Sequence, residues 1–289
     1  MNPINKTAGP CVIKVSTVVR LWKIIQAELK GKLPEIENSE DILTSCIFGL
    51  IRYLPVNNGI LRILEKTEDY DTEKSLVEKH PELREYDEAN YYFWENSNKY
   101  GEPDLIIIFK SKNKNLVPLI LVIEVKYYSK KSSVGEQDQL KKYFFAVKDK
   151  EGRNTFSNEK ISNFKGRFLG LVYLTYYPQR EETKSSIKEI EKQGILDCDE
   201  QIYELRWNDI TNALENIKDG NCSATEKMVN SDILSLLRKK NFIDFKGWTT
   251  IPLISFNNIF LDKKEFFKEI PQDIINSTNK KKTIFYGGS

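Results

Sequence analysis

Two strongly apolar runs joined by a short polar connection constrain the fold of this chain more than any other feature. Residues 104–110 have the sequence DLIIIFK, residues 119–128 have the sequence LILVIEVKYY, and the polar segment SKNKN lies between them. Apolar, β-branched runs of this length are typical of buried strands, and a short connection favours antiparallel pairing. The sequence therefore predicts a β-hairpin.

Further periodic segments surround the hairpin. The sequence predicts additional strands at 91–95, 167–177 and 201–207, and helices at 16–29, 40–54, 135–147, 185–194 and 225–242. Helices before, between and after strands indicate the α/β class, with a central sheet of mixed strand direction flanked by helices. We expect an N-terminal helical segment (1–38), a core (39–222) and a small helical C-terminal subdomain with a tail (223–289).

Histidine and cysteine usage limits the chemistry that the chain can perform. Its one histidine, His80, lies in the charged segment EKHPELREYDE, which indicates a solvated turn. The cysteines Cys11, Cys46, Cys198 and Cys222 are scattered and form no C-x-x-C pair. Zinc and iron–sulfur sites need clustered ligands, and triad chemistry needs an imidazole base. Hydrolytic chemistry in this chain would therefore depend on carboxylates, lysine and a metal.

Hydropathy and charge suggest the surroundings of the protein. The longest apolar stretch is shorter than the roughly 20 residues that span a bilayer, and no secretory signal is evident, so we expect a cytoplasmic protein without membrane contact. Between Lys110 and Lys150 there are 10 lysines and 4 acidic residues. A basic segment beside a carboxylate site suits a polyanionic substrate, although a solvated lysine-rich surface explains it equally well.

The hairpin places acidic and basic side chains close together. Because alternate residues of a strand share a face, Glu124 and Lys126 point the same way, while Asp104 opens the preceding strand and pairs near Glu124. Two close carboxylates repel each other and require a cation between them. A hard divalent ion such as Mg²⁺ or Mn²⁺ takes oxygen ligands, and a lysine beside it can act on the attacking water. A turn residue at Asp104 and a cross-strand Glu124–Lys126 salt pair are the simpler alternative.

These residues also match a known motif. Pro103-Asp104 followed by Glu124-Val125-Lys126 resembles the PD-(D/E)XK nuclease superfamily. Downstream, QLKKY (139–143) resembles the Q-x-x-x-Y helix of its RecB-like branch. The resemblance implies a restriction-endonuclease-like core and a divalent-metal-dependent nuclease. It also implies catalytic roles for Asp104, Glu124, Lys126, Glu40, Gln139 and Tyr143.

The metal ligands that the resemblance implies are Asp104, Glu124, Val125 and Glu40. Glu40 matches the acid on an N-terminal helix that completes the metal site in this family, and it shares a helical stripe with Thr44, Ile47 and Ile51. Asp41 competes with Glu40 for that assignment. Both acids also suit a helix N-terminus on electrostatic grounds alone.

The far end of the chain suggests a biological setting. The aromatic pattern of Trp207, Phe242, Phe245 and Trp248 resembles the tails of standalone nucleases of bacterial antiviral defence, although such aromatics are more often core residues. We therefore expect a defence effector that cleaves DNA, with a partner ATPase or self-association as possibilities. A sequence-specific type II-like restriction endonuclease and a non-catalytic nucleic-acid-binding subunit remain alternatives, and the sequence does not separate DNA from RNA.

Overall fold

The structure is a computed structural model that describes residues 40–127, 138–192, 201–215, 217 and 222–243. Its sheet contains β1 (Glu68–Asp69), β2 (Glu88–Phe93), β3 (Leu105–Lys110), β4 (Leu119–Val125), β5 (Arg167–Thr175) and β6 (Gln201–Arg206). Its α-helices are α1 (Glu40–Ile51), α2 (Ile60–Leu64), α3 (Leu76–Lys79), α4 (Gln139–Lys148), α5 (Lys150–Arg153), α6 (Glu159–Ser162), α7 (Arg180–Glu191), α8 (Trp207–Glu215) and α9 (Ala224–Lys239), with a 3-10 helix at Pro81–Glu85. The predicted helix at 16–29 and everything beyond residue 243 lie outside the described residues.

The described strands form one mixed sheet in the order β1-β6-β5-β4-β3-β2. Strands β2, β3 and β4 are antiparallel neighbours, and β4, β5 and β6 run parallel. In the hairpin, Leu105 pairs with Ile123 and Phe109 pairs with Leu119. Both the predicted hairpin and the predicted α/β class with a mixed central sheet are confirmed.

Helices cover both faces of the central strands. Ile107 and Leu121 belong to one core, which includes residues of α1, α8 and α9, whereas Ile108 and Ile120 belong to a second core that includes residues of α4. All seven residues of β4 are buried. This two-sided burial explains why the β3 and β4 sequences are continuously apolar instead of alternating. The side chain of Glu124 on β4 is therefore buried in the protein interior.

The structure corrects the prediction for His80. This residue ends α3 and precedes the 3-10 helix, and it is only 3% exposed. Its Nδ1 lies 3.6 Å from a carboxylate oxygen of Glu82. The predicted solvated turn is wrong because Val77 and Leu83, on either side of the histidine, are buried and draw the turn onto the core.

The structure adds detail to two helical segments. Asp138 caps α4, accepting a hydrogen bond from the Lys141 N–H, so the described helix begins at Gln139. The predicted start at 135 lies outside the described residues. Helix α8 was not predicted, because its first residue, Trp207, directly continues the apolar pattern of β6. Within the described part of the chain, no helix is long and apolar enough to cross a membrane.

Candidate active site

The carboxylates of Asp104 and Glu124 meet at one end of the β3–β4 hairpin. Asp104 directly precedes β3, and its Oδ2 accepts a hydrogen bond of 2.8 Å from the Val125 N–H. The register that pairs Leu105 with Ile123 brings Asp104 opposite the end of β4. Glu124 is 1% exposed on β4. The structure thus brings together the two acids that the hairpin geometry predicted to be neighbours.

Lys126 occupies the position directly after β4 and is 9% exposed. Its Nζ lies 2.7 Å from Oε1 of Glu124 and 3.2 Å from Oε1 of Glu40. The ammonium group is therefore held between two carboxylates that come from elements far apart along the chain. A buried ammonium is stabilised only by such pairing.

Glu40, the first residue of α1, connects this helix to the hairpin. Besides its contact with Lys126, its Oε2 accepts a hydrogen bond of 2.9 Å from the Tyr127 N–H. Asp41, the competing acid, is exposed to solvent. Thr44 and Ile47 of the predicted stripe are buried, but so is every residue from Cys46 to Ile51, so most of the helix lies in the core while the N-terminal Glu40 reaches the strand end.

The pKa values of Asp104, Glu124 and Lys126 are all raised, although burial is the cause only for the two acids. Burial raises the pKa of Asp104, and the hydrogen bond from the Val125 N–H opposes that shift. Burial also raises the pKa of Glu124 well above its usual range, and the nearby charge of Asp104 raises it further. For Lys126, burial lowers the pKa, but the charges of Glu124 and Glu40 outweigh this effect and raise it. Without a bound cation, the site therefore retains protons.

The Asp104–Glu124 pair fits a hard divalent cation. Oε2 of Glu124 is buried and has no hydrogen-bond partner among the described residues. A buried carboxylate oxygen without a donor is costly, and a cation shared with Asp104 would offset both this cost and the repulsion between the acids. Within the described ranges, however, no group of three or more His, Cys, Asp or Glu side chains is arranged to hold a metal ion. The predicted participation of Glu40 and Val125 as ligands stays a prediction.

Helix α4 brings the predicted Q-x-x-x-Y pair to the same site. Nε2 of Gln139 donates a hydrogen bond of 3.0 Å to Oη of Tyr143, one helical turn later. Burial raises the pKa of Tyr143 to about 12, and the charge of Glu124 is the next cause. The Tyr143 hydroxyl therefore remains protonated and lies within electrostatic range of the carboxylate pair.

Two buried aromatic residues, Trp207 and Phe242, contact the chain at the end of β4. The sequence did not predict these contacts. Nε1 of Trp207 donates a hydrogen bond of 3.3 Å to the main-chain carbonyl of Lys126. The indole stacks on Phe242, with ring centroids 5.0 Å apart and an interplanar angle of 11°. Phe242 also contacts Tyr127 edge-on at 5.2 Å. Both Trp207 and Phe242 are fully buried, which confirms the core interpretation of these aromatics.

The lysine-rich segment does not form one surface beside the site. Strand β3 runs away from Asp104, so Lys110, Lys112 and Lys114 follow its far end, whereas Lys126 lies at the near end. The length of β4 separates these two groups by about 20 Å. The sequence interpretation of a single basic segment flanking the carboxylates is therefore wrong for these residues, because the hairpin folds the segment back on itself.

Comparisons with known proteins give the following similarities. No protein-family model matches this chain. The uncharacterized protein PM0110 of Pasteurella multocida (strain Pm70) is 24% identical over 187 residues, which cover 64% of this chain and 62% of that protein. A structure of the MspJI restriction endonuclease in complex with a 27-mer oligonucleotide is similar over 81% of this chain and 40% of that one, with 10% identity and a TM-score of 0.30. The chain thus spans less than two thirds of the length of either protein.

Proposed function

We propose that this protein is a divalent-metal-dependent nuclease that hydrolyses phosphodiester bonds of DNA. The observation that carries the proposal is the meeting of Asp104, Glu124 and Lys126, joined by Glu40 from a distant helix, at one end of the sheet. Ionisable groups held together with little contact with solvent, as Glu124 and Lys126 are, cost free energy, and a site of this kind is more readily explained by catalysis than by stability. The PD-(D/E)XK motif that these residues match supports the same conclusion.

Asp104 and Glu124 would hold the ion, which we take to be Mg²⁺ or Mn²⁺. When bound, such an ion polarises a phosphoryl oxygen and lowers the pKa of a coordinated water. The protein contributes a preformed pair of oxygen ligands on a rigid hairpin. The Val125 N–H fixes one oxygen of Asp104, and the core on both sides fixes Glu124.

Lys126 would act on the phosphate as a cation. The carboxylates at 2.7 Å and 3.2 Å favour its ammonium form and fix the position of Nζ. A positioned ammonium donates hydrogen bonds to the attacking water and offsets the negative charge that develops on the phosphoryl oxygens in the transition state. Glu40 would orient this lysine and the Tyr127 N–H, while Gln139 and Tyr143 would border the substrate on the α4 side.

The biological setting is part of the proposal. The resemblance of the C-terminal aromatic pattern supports a cytoplasmic effector of bacterial antiviral defence, acting with a partner ATPase or as a homo-oligomer. A sequence-specific restriction endonuclease would use the same site but would yield discrete plasmid fragments. A non-catalytic nucleic-acid-binding subunit would retain the fold and bind without cleaving.

A cleavage assay on purified protein tests the proposal. Supercoiled plasmid, single-stranded and duplex DNA and an RNA oligonucleotide are incubated with Mg²⁺, Mn²⁺ or EDTA. We expect metal-dependent cleavage that Lys126→Gln reduces by at least about 100-fold, as loss of a transition-state donor does. Lys188→Gln, which removes an exposed lysine of α7, is the matched control and should cleave normally.

Three results would contradict the proposal. Cleavage by Lys126→Gln at the wild-type rate would separate the activity from this site. Cleavage of RNA alone would retain the nuclease and remove DNA as its substrate. Binding without cleavage by the wild-type protein in every metal would favour the non-catalytic subunit, provided that circular dichroism shows this protein to be folded.

A further inference from the structure

A cleft rich in basic residues lies at the end of the sheet opposite Lys126. It is formed where β5 begins, next to α5 and α6, and it encloses about 680 Å³. A cavity of this volume is within the range of small-ligand sites. The polar residues that matter here are Lys150, Arg153, Asn154, Asn163, Lys165 and Arg167.

The charge of this cleft is strongly unbalanced. Four of its lining residues are cationic, and among the described residues none that lines it is acidic. Lys150 and Lys165 are exposed, so their ammonium groups are available to a ligand. Arg167 is partly engaged, because its guanidinium forms an ion pair with Glu82. Such an arrangement attracts anions from solution.

Arg153 provides an independent indication of a ligand. It is only 8% exposed although it carries a full charge. Its Nη1 donates hydrogen bonds of 2.8 Å to the carbonyls of Val147 and Lys148 at the end of α4. Its Nε, however, is buried and has no hydrogen-bond partner within the described residues. A buried guanidinium donor without an acceptor costs free energy, and the guanidinium belongs to a residue that lines the cleft, so a nearby anion would offset the cost of burying its charge.

Phosphate is the anion that this set of donors suits best. A guanidinium offers planar paired donors, lysines add mobile point charges, and the amides of Asn154 and Asn163 add neutral donors. Burial lowers the pKa of Arg153, and the nearby charge of Asp149 opposes that shift. The protein therefore stabilises the charge of this buried guanidinium less than water stabilises that of an exposed arginine. A tetrahedral phosphate group, with its several acceptor oxygens, satisfies several such donors at once.

We propose that this cleft binds a phosphate group, supplied by the backbone of a nucleic acid or by a free nucleotide. The nucleic-acid source rests on the proposed nuclease function. The length of β4 separates the cleft from Lys126 by about 20 Å. A duplex advances 3.4 Å per base pair along its axis. A duplex that reaches both the cleft and Lys126 must therefore be at least about six base pairs long.

Binding measurements in EDTA test the proposal without any cleavage. A labelled 20-nucleotide strand and the corresponding duplex are titrated with wild-type protein, with Lys150→Gln/Lys165→Gln, and with the control Lys74→Gln/Lys188→Gln, whose lysines are exposed elsewhere. We expect the cleft variant to bind about tenfold more weakly and to lose about 1.4 units of the single-strand salt slope. Arg153 stays unchanged because it also holds the end of α4.

Calorimetry with AMP and with inorganic phosphate distinguishes the source of the phosphate. If either binds the wild type but not the cleft variant while strand affinity is equal, the cleft serves a free phosphate compound. If strand, AMP and phosphate all bind the cleft and control variants equally, the proposal is overturned. That outcome leaves the nuclease proposal intact, because cleavage by Lys126 is measured separately.

Discussion

Glu40 accepts a hydrogen bond from the main-chain N–H of Tyr127 at 2.9 Å, across 87 residues of sequence. The same carboxylate contacts Lys126 through its other oxygen. One side chain thus fixes both the main chain and the ammonium group at the end of β4. It links the helix that opens the described fold to the strand that carries the proposed chemistry.

Glu40→Gln should separate these two functions. The amide oxygen still accepts from the Tyr127 N–H, but the charge opposite Lys126 is lost. Changes to groups that orient a metal site typically reduce activity by about 10- to 100-fold, and we expect a loss in this range. Cleavage rates at saturating substrate measure it. Asp41→Asn, at the exposed neighbouring position, is the control, and an equal loss in that variant would show that the effect is general to the helix terminus.

Glu124→Gln should stabilise the metal-free protein at neutral pH while removing activity. Burial raises the pKa of Glu124, and the charge of Asp104 adds to the shift, so the folded state binds more protons than the unfolded state above the ordinary value of 4.5. The wild type therefore gains stability as pH falls through that window, and the advantage of the variant shrinks. Urea unfolding in EDTA between pH 5 and pH 8 measures this difference.

Two further measurements complete that experiment. Mg²⁺ should raise the unfolding midpoint of the wild type and have less effect on Glu124→Gln, because the ion binds only the folded state. Glu189→Gln is the control, since hydrogen bonding to Lys192 lowers the pKa of Glu189 and no stabilisation is expected. A Glu124 variant that is less stable than wild type across the whole pH range would contradict the burial argument.

Trp207→Phe should reduce turnover with only a modest loss of stability. It preserves much of the stacking on Phe242 but removes the donor to the Lys126 carbonyl, which costs about 1 kcal/mol of unfolding free energy. Tyr86→Phe is the matched control, because it removes a hydrogen bond of 2.6 Å to the Val117 carbonyl at the far end of the sheet. If both variants lose equal turnover, the indole has no positioning role.

Gly170→Ala should destabilise the sheet more than Gly101→Ala does. Both glycines have positive φ, +124° and +94°, which alanine adopts at a cost of about 1–3 kcal/mol. A Cβ at Gly170 would also lie 2.2 Å from the Gln201 carbonyl oxygen, whereas at Gly101 the nearest contact is 3.6 Å, to the Tyr143 ring. Thermal unfolding of the two variants should rank them in this order, and the reverse ranking would contradict it.

The parts of the fold that sequence could predict depend on local patterns. Two apolar runs and a short polar connection were sufficient to predict the antiparallel hairpin, and the position of Asp104 at the start of β3 was sufficient to predict that it lies near Glu124. Helical spacing within α4 was sufficient to bring Gln139 to Tyr143. In each case the partners are joined by one turn or one hairpin, so residue spacing alone limits the geometry.

Contacts between residues far apart in the sequence determine the features that the sequence did not predict. The contact between Trp207 and Lys126 spans 81 residues, and no local pattern distinguishes that indole from any other core aromatic. The basic cleft is similarly hidden, because Lys150 and Lys165 come together only through the turns around α5 and α6. The burial of His80 depends on neighbours whose orientation a charged segment does not reveal.

The stacking of Phe242 behind Lys126 has a consequence for synthesis of the chain. The residues that hold the end of β4 run from Glu40 to Phe242, so the packing around this strand end is completed only when almost all of this span has left the ribosome. At about 5–20 residues per second, the nascent chain spends on the order of 10–40 s without its final support. A chain with the proposed activity would thus lack the packing behind Lys126 until late in its synthesis.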